Sequence, residues 1–230
     1  MSAVRYPVVE LRQYTLRPGQ RDALIELFDR ELVESQEAEG MAVVGQFRDL
    51  DDPDRFVWIR GFDDMPSRAR ALAAFYGGPA WKAHRAEANA TMIDSDNVLL
   101  LRPVNAQSGF PAPPAARLPA GATPAGPSRI LVTLYYRDQP FDQAFAGLFD
   151  RQARPALIEA GATPLACLQT EHAENTFPAL PVRAGENVVA SLARFPDEAR
   201  LDAYVRQAPM LTAGAPQQLR LAPTARSLLR

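Results

Sequence analysis

Arg12 and Tyr14 fall on one face of a segment whose side chains alternate as a strand's do, and Trp58 and Arg60 do the same in a second such segment. Guanidinium, phenol and indole groups side by side could grip the aromatic body and the polar end of a small molecule. Gln46 lies in a further such segment, and Tyr135 in one that matches the segment of Tyr14. Arg12, Gln46, Trp58 and Tyr135 are therefore the candidate ligand-binding residues. Tyr14, Arg60 and His84 are the candidate catalytic ones. His84 follows Trp81 by three residues, so the two could share a helical face, and an imidazole near a pocket titrates in the range a general base needs. The same histidine also reads as a half-exposed residue on a surface helix. Glu10 shares the face of Arg12. Inside a closed space these charges would pair, because an unpaired buried charge is costly. The cluster reads either as a structural ion pair or as an anion site for a ligand carboxylate.

Other chemistry is thinly represented. The single cysteine, Cys167, lies in an apolar strand with no neighbouring base, so it reads as packing. His172 and Glu174 read as solvent-facing. Two histidines far apart and one cysteine give no metal-ligand spacing, so neither a metal nor a cofactor is expected. Gly77-Gly78 lacks the Lys-Ser/Thr of a phosphate loop, and Ser67, Ser95 and Ser191 lack a nucleophile-elbow context. A net charge of −2 without a basic run argues against a nucleic-acid partner. Apolar runs such as Val98-Leu99-Leu100-Leu101 are strand-sized, which argues against a membrane span. Met1 to Pro7 lacks a signal-peptide core, so a cytoplasmic location is expected.

The elements that carry these residues occur twice. Leu27-Phe28-Asp29-Arg30 recurs as Leu148-Phe149-Asp150-Arg151, and Gly40 follows at the interval of Gly161. Val9-Glu10-Leu11 and Tyr14 then fall on Ile130-Leu131-Val132 and Tyr135. Leu101-Arg102-Pro103 falls on Leu221-Ala222-Pro223. In the first copy, strands are predicted over 8–16, 41–48, 56–62 and 97–102, with helices over 20–39, 66–76 and 80–90. The order β-α-β-β-α-β makes each copy an α+β ferredoxin-like module. The domains are predicted as 1–103 and 129–230, joined by a Pro/Ala/Gly-rich linker over 104–128. Phe56, Trp58 and Phe62 would leave one sheet face bare and apolar. The economical cover is the other module's sheet, giving an intrachain barrel of two modules packed sheet to sheet. The second copy matches Arg12, Tyr14, Gln46, Trp58 and Arg60 with Thr133, Tyr135, Cys167, Ser191 and Ala193, which suggests one pocket lined by the first copy. An insertion at 172–184 marks the second copy.

Val9-Glu10-Leu11-Arg12-Gln13-Tyr14-Thr15-Leu16 with Pro18-Gly19, Phe75-Tyr76 through Pro79-Ala80-Trp81-Lys82-Ala83-His84-Arg85, and Asp94 through Pro103 form three stretches with a familiar pattern. Through them residues 8–103 resemble the NIPSNAP family. The resemblance implies a dimeric α/β barrel, here within one chain, but fixes no reaction. Relatives in the wider group imply cofactor-free oxygenation, isomerisation or cyclisation on an apolar or aromatic molecule held between the sheets. A non-catalytic interaction module that presents its helices or the 172–184 insertion is the alternative. A haem reading also follows from relatives, with His84 as the one ligand candidate in the first copy. The pseudo-dimer needs no second chain, and further homo-oligomerisation stays open.

Overall fold

Val8–Leu16 (β1) buries side chains on both of its faces, so each face needs a cover. The computed structural model describes residues 5–112, 116–123, 126–209, 211–212 and 214–230. After β1 come helix α1 (Arg21–Leu27), a π-helical turn (Phe28–Leu32) and α2 (Val33–Ala38). Then follow β2 (Ala42–Asp49), β3 (Arg55–Phe62), α3 (Met65–Gly77), α4 (Pro79–Thr91) and β4 (Met92–Pro103). The second half repeats this pattern. It has β5 (Arg129–Arg137), α5 (Gln143–Leu148), a second π-helical turn (Phe149–Ala153), α6 (Arg154–Glu159), β6 (Thr163–Thr170), β7 (Asn187–Phe195), α7 (Glu198–Val205) and β8 (Gln217–Pro223). Both π turns carry the repeated Phe-Asp-Arg. Gly40 and Gly161 close the helices that follow them at φ 87° and 78°, a conformation that favours glycine.

The strands close into one barrel in the order β1-β3-β2-β8-β5-β7-β6-β4. The two halves thus meet along strand edges as well as face to face. At one seam Phe47, Arg48 and Asp49 pair with Pro223, Ala222 and Leu221. At the other, Leu168, Gln169 and Thr170 pair with Pro103, Arg102 and Leu101. These are the same positions of the repeat, so one contact is used twice about an approximate twofold axis. Closure satisfies the backbone groups that an open sheet would leave at its edges.

The barrel interior is packed with apolar side chains from both halves. Val9, Leu11, Phe47, Val57, Ile59, Leu99 and Leu101 meet Ile130, Val132, Leu134, Leu168, Val188, Leu192 and Leu221. This corrects the face assignment made from the alternation. Phe56, Trp58, Arg60 and Phe62 do not look across to the second sheet. They lie outside the barrel wall, against Leu24, Phe28, Leu32, Leu72 and Phe75 of the first half's helices. The helices' apolar stripe needs a partner, and bulky aromatic side chains fill the wide gap between helix and sheet better than the crowded barrel centre.

The second half also clasps the first at two places outside the barrel. The loop 171–186 reaches across so that Phe177, Leu180 and Val182 join the first half's helix-side core. Within the same loop His172 and Glu174 face solvent, as the sequence suggested. The tail after β8 runs beside β2, where the Thr224 N–H donates to the Gln46 carbonyl at 2.9 Å. There Arg226 pairs with Glu34.

Candidate functional site

Between the first half's sheet and its helices lies a buried charge cluster. Antiparallel pairing of β1 with β3 sets Glu10 opposite Arg60 and Arg12 opposite Trp58. Helix α3 adds Arg68. Its start is fixed by Asp64, whose carboxylate accepts from the Ser67 N–H at 2.6 Å. Glu10 Oε2 accepts from Arg12 Nη1 at 2.6 Å and from Arg60 Nε at 2.7 Å, and its Oε1 accepts from Arg68 Nε at 2.7 Å. None of the four side chains is more than 1% exposed. Burial alone would push the Glu10 carboxyl up. The guanidiniums of Arg60, Arg12 and Arg68 together outweigh that and hold it well below the usual carboxylate range.

Tyr14 connects this cluster to a cavity. Its phenolic oxygen accepts from Arg12 Nε at 3.0 Å, which leaves its own O–H to donate elsewhere. Burial pushes the phenol up against the opposing pull of Arg12, so the ring stays protonated at neutral pH. The cavity, about 340 Å³, is lined by Tyr14, Tyr76, Trp81, Met92, Phe177 and Leu180, among others. Tyr76 stacks on Phe177 with ring centres 5.9 Å apart and meets Trp81 edge-on at 5.0 Å. Tyr76 and Trp81 come from α3 and α4, while Phe177 comes from the loop of the other half. Arg68 ties that loop down, donating to Asn175 Oδ1 at 2.9 Å and to Thr176 Oγ1 at 3.1 Å.

Of the residues singled out in the sequence, Arg12, Tyr14, Trp58 and Arg60 converge here. The expected place between the two sheets is filled by the apolar barrel core instead. Three others lie elsewhere. His84 sits on α4 with its Nε2 3.4 Å from Glu31 and does not line the cavity, so the haem reading loses its ligand at this site. Gln46 belongs to a separate polar strap. Its Nε2 donates to Asp29 at 3.1 Å and its Oε1 accepts from Arg117 at 3.3 Å. Tyr135 packs edge-on against Phe145 in the second half's own helix-side core, at 5.7 Å.

Arg68, Tyr76, Asn175, Thr176 and Phe177 were missed. Another cavity of about 340 Å³ lies in the second half, beside Asp150, Arg154 and Cys167. Burial pushes the Cys167 thiol up to about 12, so it offers no nucleophile near neutral pH. A more open groove near Arg137 and Asp142 is walled mostly by exposed side chains.

The NIPSNAP family model matches residues 9–107. Across nearly the whole chain the fold is similar to a candidate monooxygenase from Fusobacterium nucleatum, at 12% identity, 97% of this chain, 94% of that one and a TM-score of 0.56. It is similar as well to a candidate monooxygenase from Lactobacillus acidophilus, at 14% identity, 95% and 94% coverage and a TM-score of 0.51. A NIPSNAP family protein from Agrobacterium tumefaciens matches 44% of this chain over 94% of its own, at 21% identity and a TM-score of 0.40. A search of curated proteins returned no match. At these identities the structural neighbours show the fold alone.

Proposed function

We propose, with the NIPSNAP family model matching residues 9–107, that the chain binds a small, largely apolar or aromatic molecule between the first half's sheet and helices α3 and α4. The observation that carries this reading is the cavity walled by Tyr14, Tyr76, Trp81 and Phe177. It combines a largely apolar lining with a few polar residues, Tyr14, Tyr76, Asn89 and Ser95, the composition of a ligand site. It also lies beside the first half's charged cluster, through Tyr14. Half-exposed Trp81 and Phe177 supply the mouth.

Cofactor-independent chemistry of the oxygenase, isomerase or cyclase kind would use Tyr14. Arg12 holds the phenolic oxygen, and the free O–H can donate to a substrate oxygen where negative charge develops. The neighbours named as candidate monooxygenases make oxygenation the first activity to assay.

Native mass spectrometry tests the binding. The chain as purified, and after incubation with one- and two-ring aromatics, should carry a one-to-one adduct that Trp81→Ala and Phe177→Ala each weaken. An adduct insensitive to both substitutions would move the ligand elsewhere and end this reading.

A further inference from the structure

The cluster behind the cavity is not electrically balanced. Glu10 is the one carboxylate that Arg12, Arg60 and Arg68 touch among the described residues, so three positive charges face one negative charge. The other groups they touch are neutral: Tyr14, Gln36, Met41, Asn175 and Thr176. Two excess positive charges at full burial are costly to hold. Donors are in surplus as well. Arg60 Nη2, Arg68 Nη2 and Trp58 Nε1 are buried without a protein partner. A buried donor left unsatisfied costs free energy, so such a surplus points to an acceptor that the chain does not supply.

The second half provides an internal control. By the strand register and the matching helix starts at Asp64 and Asp197, the positions of Glu10, Arg12, Trp58, Arg60 and Arg68 carry Leu131, Thr133, Ser191, Ala193 and Leu201. There Leu131, Ala193 and Leu201 pack in a buried apolar core. The architecture therefore does not require charge at these places, and the first half keeps its arginines for another reason.

We infer that the molecule bound in the first half's cavity is an organic anion, whose carboxylate or phosphate group docks toward the layer of Arg12, Arg60 and Arg68 behind Tyr14. This rests on the cavity being the binding site. The layer is one side chain deep from the cavity wall. Arg12 touches the Tyr14 hydroxyl, Arg60 lies 6.0 Å from the centre of the Tyr76 ring, and Arg68 holds the residues just before Phe177. An anion in the cavity would offset the surplus charge across that single layer and accept from the Tyr14 O–H that Arg12 orients, while the aromatic wall covers its apolar body.

Titration calorimetry with 2-naphthoate, 2-naphthyl phosphate and neutral 2-naphthamide tests the inference. At least one acid should bind roughly tenfold or more tightly than the amide, and the stronger acid identifies the anionic group. A Glu10→Leu, Arg12→Thr, Arg60→Ala, Arg68→Leu variant copies the second half, and it should abolish the preference. Arg68→Leu alone, which halves the excess charge, should reduce it and serves if the fourfold variant does not fold. Equal binding of acids and amide, lost together in Trp81→Ala, would overturn the anion while leaving the cavity standing. An acid preference that survives both arginine variants would overturn it as well. No binding by any of the three would overturn both.

Discussion

Glu10 holds three guanidiniums with two oxygen atoms, and its removal should be felt more than any other single change in the cluster. Glu10→Gln leaves three buried cations without an anion, so a loss of about 3–5 kcal/mol is expected in urea denaturation. Copying the second half at all four positions removes the charges together, and it should cost less than Glu10→Gln alone. A fourfold variant weaker than the single one would show that the arginines are held by more than their own pairing. The carboxyl is depressed in the folded state, so its stabilisation is present above about pH 4.5, the ordinary glutamate value, and is lost as pH falls further. Asp29 behaves oppositely. Burial raises its carboxyl to about 6 despite Arg226 and Arg117 nearby, so between pH 6 and pH 4 the folded chain takes up a proton that the unfolded chain does not. On this account stability rises as pH falls through that window. Asp29→Asn should flatten that part of the profile, read from urea midpoints at pH 6.5, 5.5 and 4.5. A profile unchanged by the substitution would remove Asp29 as its source.

Helices α3 and α4 and the loop 171–186 turn these residues into a site, and they were unequally legible in the sequence. Strands and helices followed from period-two and helical spacing and from Gly40, Pro66 and Gly77-Gly78. Which face of β3 looks inward did not follow, because both faces are apolar: Val57 and Ile59 on one, Phe56, Trp58 and Phe62 on the other. Alternation shows faces only when one of them is wet. The contact of Arg68 with Asn175 spans 107 residues, and nothing local to either position announces it. The repeat did hold a signal, since aligning α3 with α7 would have set Arg68 against Leu201. Of the two places read for His84, the half-exposed one on a surface helix agrees with the structure, because a three-residue spacing permits a shared helical face without requiring that both side chains meet the same neighbours. The loop yields its own prediction. Phe177→Ala removes a half-buried ring stacked on Tyr76 and should cost about 1–2 kcal/mol. It should also increase proteolytic cleavage within 171–186 without changing the overall secondary structure seen by circular dichroism. A loop equally protected in the variant would show that Arg68, not the stacked ring, fastens it.

At the scale of the whole molecule, the two seams argue against either half standing alone as a monomer. Each half presents two open strand edges and the apolar inner face of its sheet, and each seam joins a second strand to a fourth strand across the halves. Phe47-Arg48-Asp49 and Leu101-Arg102-Pro103 together form one complete seam surface, and both lie in the first half. A chain of residues 1–103 therefore contains everything needed to pair β2 with β4 of a second copy and β4 with its β2. The alternative, a lone module with Val9, Leu11, Val57, Ile59 and Leu99 open to water, is strongly disfavoured. Residues 1–103 expressed alone should run as a homodimer by light scattering, with a melting temperature that rises with protein concentration. The dimer would carry two copies of the Glu10 cluster, but neither would have the 171–186 loop over it. Its affinity for any ligand that needs Phe177 should therefore fall below that of the intact chain. A cooperative, concentration-independent monomer would mean that the sheet's inner face tolerates solvent, and that the fused second half exists for the loop and tail it contributes rather than for the barrel it closes.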